Sequence, residues 1–389
     1  MRHRLAQHAP AIDEELLEEV RRKLVQEGQS ASAAQIASAV RASGRILGTT
    51  GALRAVDRIR AELAGLGPLQ FLLQEADTSD IFVNSPAEVW VRRGHQLLRA
   101  EVEFSGEAQV RGLAKRLVGA AGKRLDEVSP YADVQLSGGL RVHAVLPPIS
   151  TTGTLLSIRV RRAKAFSLDE LIACGTLSEQ SAGLIEAMIF SGLNILISGA
   201  TGSGKTSLLN ALLALCPPEQ RIVIVEDTTE LAPQHPHILS LQGRGSNVEG
   251  RGAVPLQQLI YQALRMNPNR LIVGECRGAE VRELLTALNT GHSGGGTIHA
   301  NSAADVPARL QALGALAEMT PQAVDIQAAS AIDAVLHLEN TGTGRRLTQL
   351  GILERASGRL EVQLAAECGA EGVRPGKAWA QLQRRLSQS

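Results

Sequence analysis

Aromatic side chains are the scarcest feature of this 389-residue chain, which has two Trp, two Tyr and five Phe. A platform for single-stranded nucleic acid needs several exposed rings on which bases stack, so the composition argues against that class. Cysteine is nearly as sparse. Cys174, Cys216, Cys276 and Cys368 lie far apart with no C-x-x-C pair, which argues against a zinc ribbon or a disulfide framework and suits a reducing compartment. Charge of one sign is lacking too: 40 Lys and Arg against 39 Asp and Glu leave a net charge of +1. No global field exists to hold a polyanion, and direct nucleic-acid binding is not expected. No apolar run approaches the roughly 20 residues that span a bilayer. The opening MRHRLAQHAPAIDEE carries charge where a secretory signal needs its apolar core. The expectation is a cytoplasmic protein with no transmembrane segment, held at a membrane, if at all, through partners.

What the chain does contain is ordinary globular material, 44% hydrophobic and 20% charged, with length enough for two or three domains. The stretch 13–27, DEELLEEVRRKLVQE, has Leu16, Leu17, Val20, Leu24 and Val25 on one helical stripe. Further helices are expected over 32–41 and 53–63, before the breaker Gly65-Leu-Gly-Pro68, making 1–66 a helical module. Over 67–163 the pattern changes to short β-type runs (81–83, 89–91, 140–146, 155–160) with one helix near 110–121, a small α/β domain. Residues 164–177 read as an interdomain linker. From 178 to 355 strands at 194–198, 221–225, 270–273 and 296–299 alternate with helical segments, the mark of a parallel sheet with crossover helices. Residues 356–389 read as a tail ending in a short basic helix, with no role assigned.

The most informative segment runs from Asn194 to Thr206, an apolar strand entering GATGSGKT and then a helix. Gly199, Gly204, Lys205 and Thr206 fill every fixed position of G-x-x-x-x-G-K-[ST], with Ala200, Thr201, Gly202 and Ser203 between them and Ser207 following. Glycines let backbone N–H groups approach phosphate oxygens, and the helix adds its positive dipole end. In this reading Lys205 neutralises β- and γ-phosphates and the Thr206 hydroxyl ligates Mg²⁺.

A second apolar strand, Leu271-Ile-Val-Gly-Glu275, ends where a metal-side carboxylate belongs, which nominates Glu275. Between the two, RIVIVEDTTE ends in carboxylates, and Glu230 is the candidate base that activates water. Glu226 or Asp227 could serve instead, and spacing alone leaves the three open. The segment Asn289 to Asn301 offers His292 and His299 around a glycine-rich turn. Alone they fit structural histidines or phosphate sensing, and no third ligand has zinc spacing. The loop 243–252 brings only Arg244 and Arg251, weak support for polyanion binding.

Together, GATGSGKT, RIVIVEDTTEL, LRMNPNRLIVGECR and NTGHSGGGTIHAN follow the order of the Walker A, Asp-box, Walker B and His-box motifs, and the chain resembles the type II/type IV secretion ATPase superfamily. Within it, DIFVNSPAEVWVRR, LRVHAVLPPIS and GSNVEGRG resemble the CpaF-like Flp/Tad pilus-assembly and conjugal-transfer-associated branch. The resemblance spans about 53–354. It implies an α/β fold, a RecA-like P-loop NTPase domain preceded by a smaller sensor-like α/β domain. It further implies a homohexamer that uses ATP and Mg²⁺ and works with inner-membrane platform proteins from the cytoplasmic face. Residue by residue, Lys205 and Thr206 take the phosphate and metal roles, Glu230 the catalytic base, Glu275 the Walker B acid, and His292 and His299 the His-box. Arg141 and Arg159 match by context the arginines that reach the triphosphate, with Arg161 a further candidate. The chain departs from the family pattern at Asn269, at Ser137-Gly-Gly and at Gly295-Gly296. None of these removes a catalytic residue.

Overall fold

The computed structural model describes residues 20, 33–42, 56–57, 59–63, 65–75, 78–94, 96–136, 138–160, 165–244, 252–341 and 344–387. Most of the helix expected over 13–27, Ser137, Arg161 and the centre of the 243–252 loop lie outside them. The chain divides into two compact units, Met1–Ala163 and Lys164–Ser389.

The first unit contains helix α1 (Ala33–Ala42), where the sequence places one, and helical residues at 56–57 and 59–63. Its centre is a six-stranded sheet of order β3-β2-β1-β6-β5-β4. The strands are β1 (Thr78–Ser85), β2 (Glu88–Arg93), β3 (Gln96–Arg99), β4 (Tyr131–Leu136), β5 (Leu140–Val145) and β6 (Leu155–Val160). Every neighbouring pair is antiparallel. Alternation makes the sheet two-faced: Ile81, Val83, Val89, Val91, Val142, Ala144, Leu156 and Ile158 are buried. They share one core with Val110, Leu113, Ala114, Leu117 and Val118 of helix α2 (Glu107–Ala120). The opposite parity puts Asp80, Arg159 and Arg141 side by side across β1, β6 and β5.

The second unit holds a nine-stranded sheet of order β15-β14-β13-β12-β7-β11-β10-β8-β9. Its parallel part comprises β7 (Ile195–Gly199), β8 (Ile222–Glu226), β9 (Ile238–Gln242), β10 (Arg270–Cys276), β11 (Ser293–His299) and β12 (Ala334–Thr341). Ile195 and Ile197 face one core with Ile185 and Met188 of α4 (Glu179–Phe190) and Leu208 and Leu212 of α5 (Lys205–Ala214). Leu196, Val223 and Val225 face the other, with Ile260 of α6 (Leu256–Leu264), Leu284 of α7 (Val281–Asn289), Leu310 of α8 (Val306–Leu316) and Val324 of α9 (Pro321–Ala331). Burial on both faces is why these strands read as unbroken apolar runs.

Two segments differ from the sequence expectation. The stretch expected to link the domains carries a helix, α3 (Leu168–Ala173), fixed by a capping box between Ser167 and Glu170, and its Leu171 is buried in the second unit's core. The tail expected over 356–389 begins as sheet: β13 (Gly344–Ala356), within the expected ATPase domain, pairs antiparallel with β12, and β14 (Arg359–Gly369) and β15 (Gly372–Pro375) continue from it as antiparallel strands. The last helix, α10 (Trp379–Ser387), buries Leu382. Arg385 Nη1 donates to Asp333 Oδ1 at 2.9 Å and to the Asp333 carbonyl at 2.7 Å. Small residues such as Ala365 and Ala366 fill buried strand positions, so the segment looks like an Ala- and Gly-rich tail while its backbone pairs as a strand.

Candidate nucleotide-binding site

Parallel strands all end on one edge of a sheet, and the expected site residues collect there. Gly199 closes β7, Glu226 closes β8, Glu275 lies one residue before the end of β10, and His299 closes β11 directly beside Gly199 in the pairing register. Glycine is required at the loop. Gly204, the residue preceding α5, has φ 103°, and Gly202 has φ 78° with nothing within 4 Å of where a Cβ would stand. The backbone therefore turns through left-handed conformations and leaves an open cradle at the first turn of α5.

Lys205 is 8% exposed, and its Nζ donates to the Gly199 carbonyl at 2.9 Å and the Ala200 carbonyl at 3.0 Å. Burial pushes its pKa down. Glu275 opposes that shift, Arg277 adds to it, and Glu230 opposes it. The Lys205 ammonium thus feels both expected carboxylates.

The structure separates the three acidic candidates of the Asp-box. Glu226 is 5% exposed, and its Oε1 accepts from the backbone N–H of Glu230 at 3.0 Å and of Leu231 at 3.1 Å. It shapes the loop that carries Glu230. Asp227 is exposed, with Oδ1 facing Gly243. Glu230 is half-buried, and its Oε2 accepts from the Thr206 hydroxyl at 3.5 Å. Asn210 braces the same loop from α5: its Oδ1 accepts from the Ala232 N–H at 2.8 Å, while its Nδ2 donates to the Thr206 carbonyl at 3.0 Å. The sequence reading missed Asn210. Its position one helical turn after Thr206 was the available signal.

Glu275 is paired with Arg277, whose Nε donates to Oε2 at 2.7 Å and whose Nη2 reaches the same oxygen. Arg277 was not singled out either. A Cβ on Gly274 would come within 2.6 Å of Glu226 Cγ, so glycine at that position lets the ends of β8 and β10 lie close.

The two histidines part company. His299 ends β11 at the site edge, while His292 precedes its first residue, Ser293. Seven strand residues at about 3.3 Å each put roughly 20 Å between the two ends. His292 therefore stands at the entry of β11, away from the edge that holds Gly199, with its Nδ1 3.4 Å from the Pro268 carbonyl. The structural reading fits it.

Arg141 and Arg159 face each other across β5 and β6 in the first unit. Arg141 donates from Nε at 3.0 Å and from Nη2 at 2.5 Å to Asp133, and Arg159 Nε lies 3.3 Å from Asp80 Oδ1. The Arg141 hydrogen bond holds the Asp133 carboxyl below its usual range against partial burial.

The departures have physical reasons. Asn269 Oδ1 accepts from the Arg221 N–H at 2.8 Å, tying the entries of β8 and β10 together. A Cβ on Gly294, Gly295 or Gly296 would collide with the carbonyls of Leu271, Ile195 and Val273 respectively. The glycine run thus lets β11 fit between its neighbours.

A phosphate cradle at the C-terminal edge of a parallel sheet, with a lysine, a helix N-terminus and strand-end carboxylates around it, defines a RecA-like P-loop ATPase. The pattern of the type II/IV secretion system proteins matches residues 62–367. A putative conjugal transfer protein of Mycobacterium tuberculosis is 46% identical over 324 residues, 81% of this chain and 92% of that protein. The conjugal transfer protein TrbB of Rhizobium radiobacter is 33% identical over 72% of this chain and 84% of its own length. Among solved structures, the pilus retraction motor PilT with bound ADP shares the fold at a TM-score of 0.52 and 18% identity, over 82% of this chain and 86% of that one. The chain belongs to the type II/IV secretion system protein family and is an ATPase of it. No helix among the described residues is long and apolar enough to cross a membrane.

Proposed function

We propose that this chain is the hexameric motor of a Tad/Flp-type pilus or a related type II/IV secretion apparatus, working at the cytoplasmic face of the inner membrane against platform proteins. The observation that carries the catalytic part is the Thr206–Glu230 contact at 3.5 Å, braced by Glu226 and Asn210 beside Lys205.

ATP is the substrate, and the open cradle at Gly202 with the α5 N-terminus fits its phosphates. The Thr206 hydroxyl and the Glu275 carboxylate are hard oxygen donors suited to Mg²⁺, which usually takes one or two protein ligands and completes its shell with phosphate and water. When bound, the ion neutralises charge on the phosphate oxygens. Lys205 binds the β- and γ-phosphates. Glu230 orients a water and accepts its proton as the water oxygen bonds to the γ-phosphorus and the bond to ADP breaks. Arg141 and Arg159 match by context the arginines that, in the resembling family, stabilise the charge developing in transfer, and they keep that role in this reading. His299, beside Gly199, responds to the γ-phosphate.

A nucleic-acid translocase or conjugation motor on the same engine is the second reading, favoured by the names of the mycobacterial and rhizobial relatives. The net charge of +1 counts against it. Steady-state ATP hydrolysis by the purified chain, with light scattering for mass and with single- and double-stranded DNA added, separates the two. Mg²⁺-dependent turnover by a hexamer indifferent to DNA supports the secretion motor. Strong stimulation by DNA moves the assignment to the translocase.

A further inference from the structure

The β12–β13 hairpin supplies a residue that none of the four motifs contains. β12 pairs with β7 from Ala334 opposite Ile195 to Leu338 opposite Gly199, and its last three residues, Glu339, Asn340 and Thr341, run past the end of β7. β13 returns alongside, with Gly344 opposite Thr341 and Arg345 opposite Asn340. The hairpin therefore projects beyond the sheet edge at the strand whose end begins the phosphate cradle.

Arg345 lies against that cradle. A Cβ built on Gly204 would stand 3.3 Å from Arg345 Cδ and 3.9 Å from its Cβ. Gly204 immediately precedes Lys205 and Thr206, so the arginine stem borders the first turn of α5. Beyond the stem, Arg345 Nε is shut off from solvent and has no hydrogen-bond partner among the described residues. A guanidinium stays charged at any working pH, and a buried donor left unsatisfied is unfavourable. Its planar fork of N–H groups matches phosphate oxygens.

We propose that Arg345 is a nucleotide-contacting residue, supplied by the same subunit from the β12–β13 hairpin, that donates to the phosphates shared by ADP and ATP. The inference rests on the P-loop reading above. Because the first turn of α5 borders phosphates present in both nucleotides, Arg345 contributes uniform binding: its loss raises KM and leaves kcat nearly unchanged. This distinguishes it from Glu230, which acts on kcat.

The test uses the full chain and fluorescent ADP and ATP analogues. Arg345→Gln is expected to weaken both about tenfold, the scale of a charge-assisted hydrogen bond, with kcat within about twofold at saturating ATP. Arg345→Met keeps the aliphatic stem against Gly204 and removes the donors. If the residue serves packing alone, the Met variant binds like the parent; if it contacts phosphate, Met behaves like Gln. Arg359→Gln, at an exposed position of β14, controls for the lost charge. Lys205→Ala separates the two levels of failure. A parent protein that binds no nucleotide overturns the P-loop reading and this inference together. Binding by the parent that Lys205→Ala abolishes and both Arg345 variants retain within about twofold overturns this inference alone.

Discussion

The two sheets solve opposite problems. The sheet of the first unit is antiparallel and buries one face, and its other parity carries Asp80, Arg141 and Arg159 in carboxylate–guanidinium pairs. The sheet of the second unit is parallel at its centre and buried on both faces, and the residues of the candidate site gather at its strand ends. Side chains on an open face lie in high dielectric and exchange partners at small cost. Side chains at the end of a buried sheet are held by the backbone around them, as Glu230 is by Glu226 and Asn210. The first arrangement suits residues that switch partners, and the second suits residues that must already be in place.

That contrast can be broken or sharpened by mutation. The largest effect belongs to the strand-end set: Glu230→Gln is expected to retain ATP binding and lower turnover by a factor of at least about 100, the usual scale for a lost base. Near-normal steady-state hydrolysis would remove Glu230 from that role. His299→Ala and His292→Ala come next. The first is expected to cut turnover about tenfold and the second to leave it within about twofold, because they sit at opposite ends of β11. Equal losses would show that His292 reaches the site by a route the strand geometry does not provide.

Asn210→Ala leaves the Ala232 N–H without its acceptor. Denaturant melts should show a loss of about 1–2 kcal/mol, with a fall in kcat exceeding any rise in KM. A stability loss with unchanged kcat would make Asn210 a scaffold residue only.

His337 gives a pH signature from within the buried sheet. It is 1% exposed on β12, with Nδ1 2.9 Å from Ser198 Oγ. Burial pushes its pKa down. Glu339, an Asn301 backbone hydrogen bond and Asp305 oppose that, and Lys205 adds to it. The unfolded chain therefore binds this proton at a higher pH than the folded one. Stability from His337 is complete above its ordinary value near 6.5 and is lost as pH falls toward the lower folded value. His337→Gln should flatten the melting temperature between about pH 7 and pH 5.

The smallest effect lies on the open face. Asp133 is held low by Arg141, so the pair stabilises above the ordinary carboxylate range and is lost as pH falls through the depressed value. The pair is partly exposed, so Asp133→Asn should cost less than about 1 kcal/mol in denaturant melts. A larger loss would move this face into the class of fixed, buried chemistry.

Much of the second unit was legible in sequence because its strands are buried on both faces and stand out as apolar runs ending in glycine or carboxylate. The first unit's strands were legible by alternation. The strands β14 and β15 were harder to read. Their buried positions include Ala365 and Ala366, whose small side chains give little contrast. The helix at Leu168–Ala173 lies in a stretch that reads as a connector, although its Ser167 to Glu170 spacing was the visible capping signal.

The sequence by itself determined the phosphate cradle, since G-x-x-x-x-G-K-[ST] between an apolar strand and a helix specifies backbone conformation and charge within eight residues, Gly199 to Thr206. It also determined which strand ends carry acids. Only the tertiary structure decided which acid faces Thr206, which histidine shares the edge with Gly199, and that Asn210, Arg277 and Arg345 border the site. The reason is range: a local motif constrains neighbours along the chain, whereas these choices depend on strands and hairpins that meet across tens of residues and reveal their partners only when the sheet is paired.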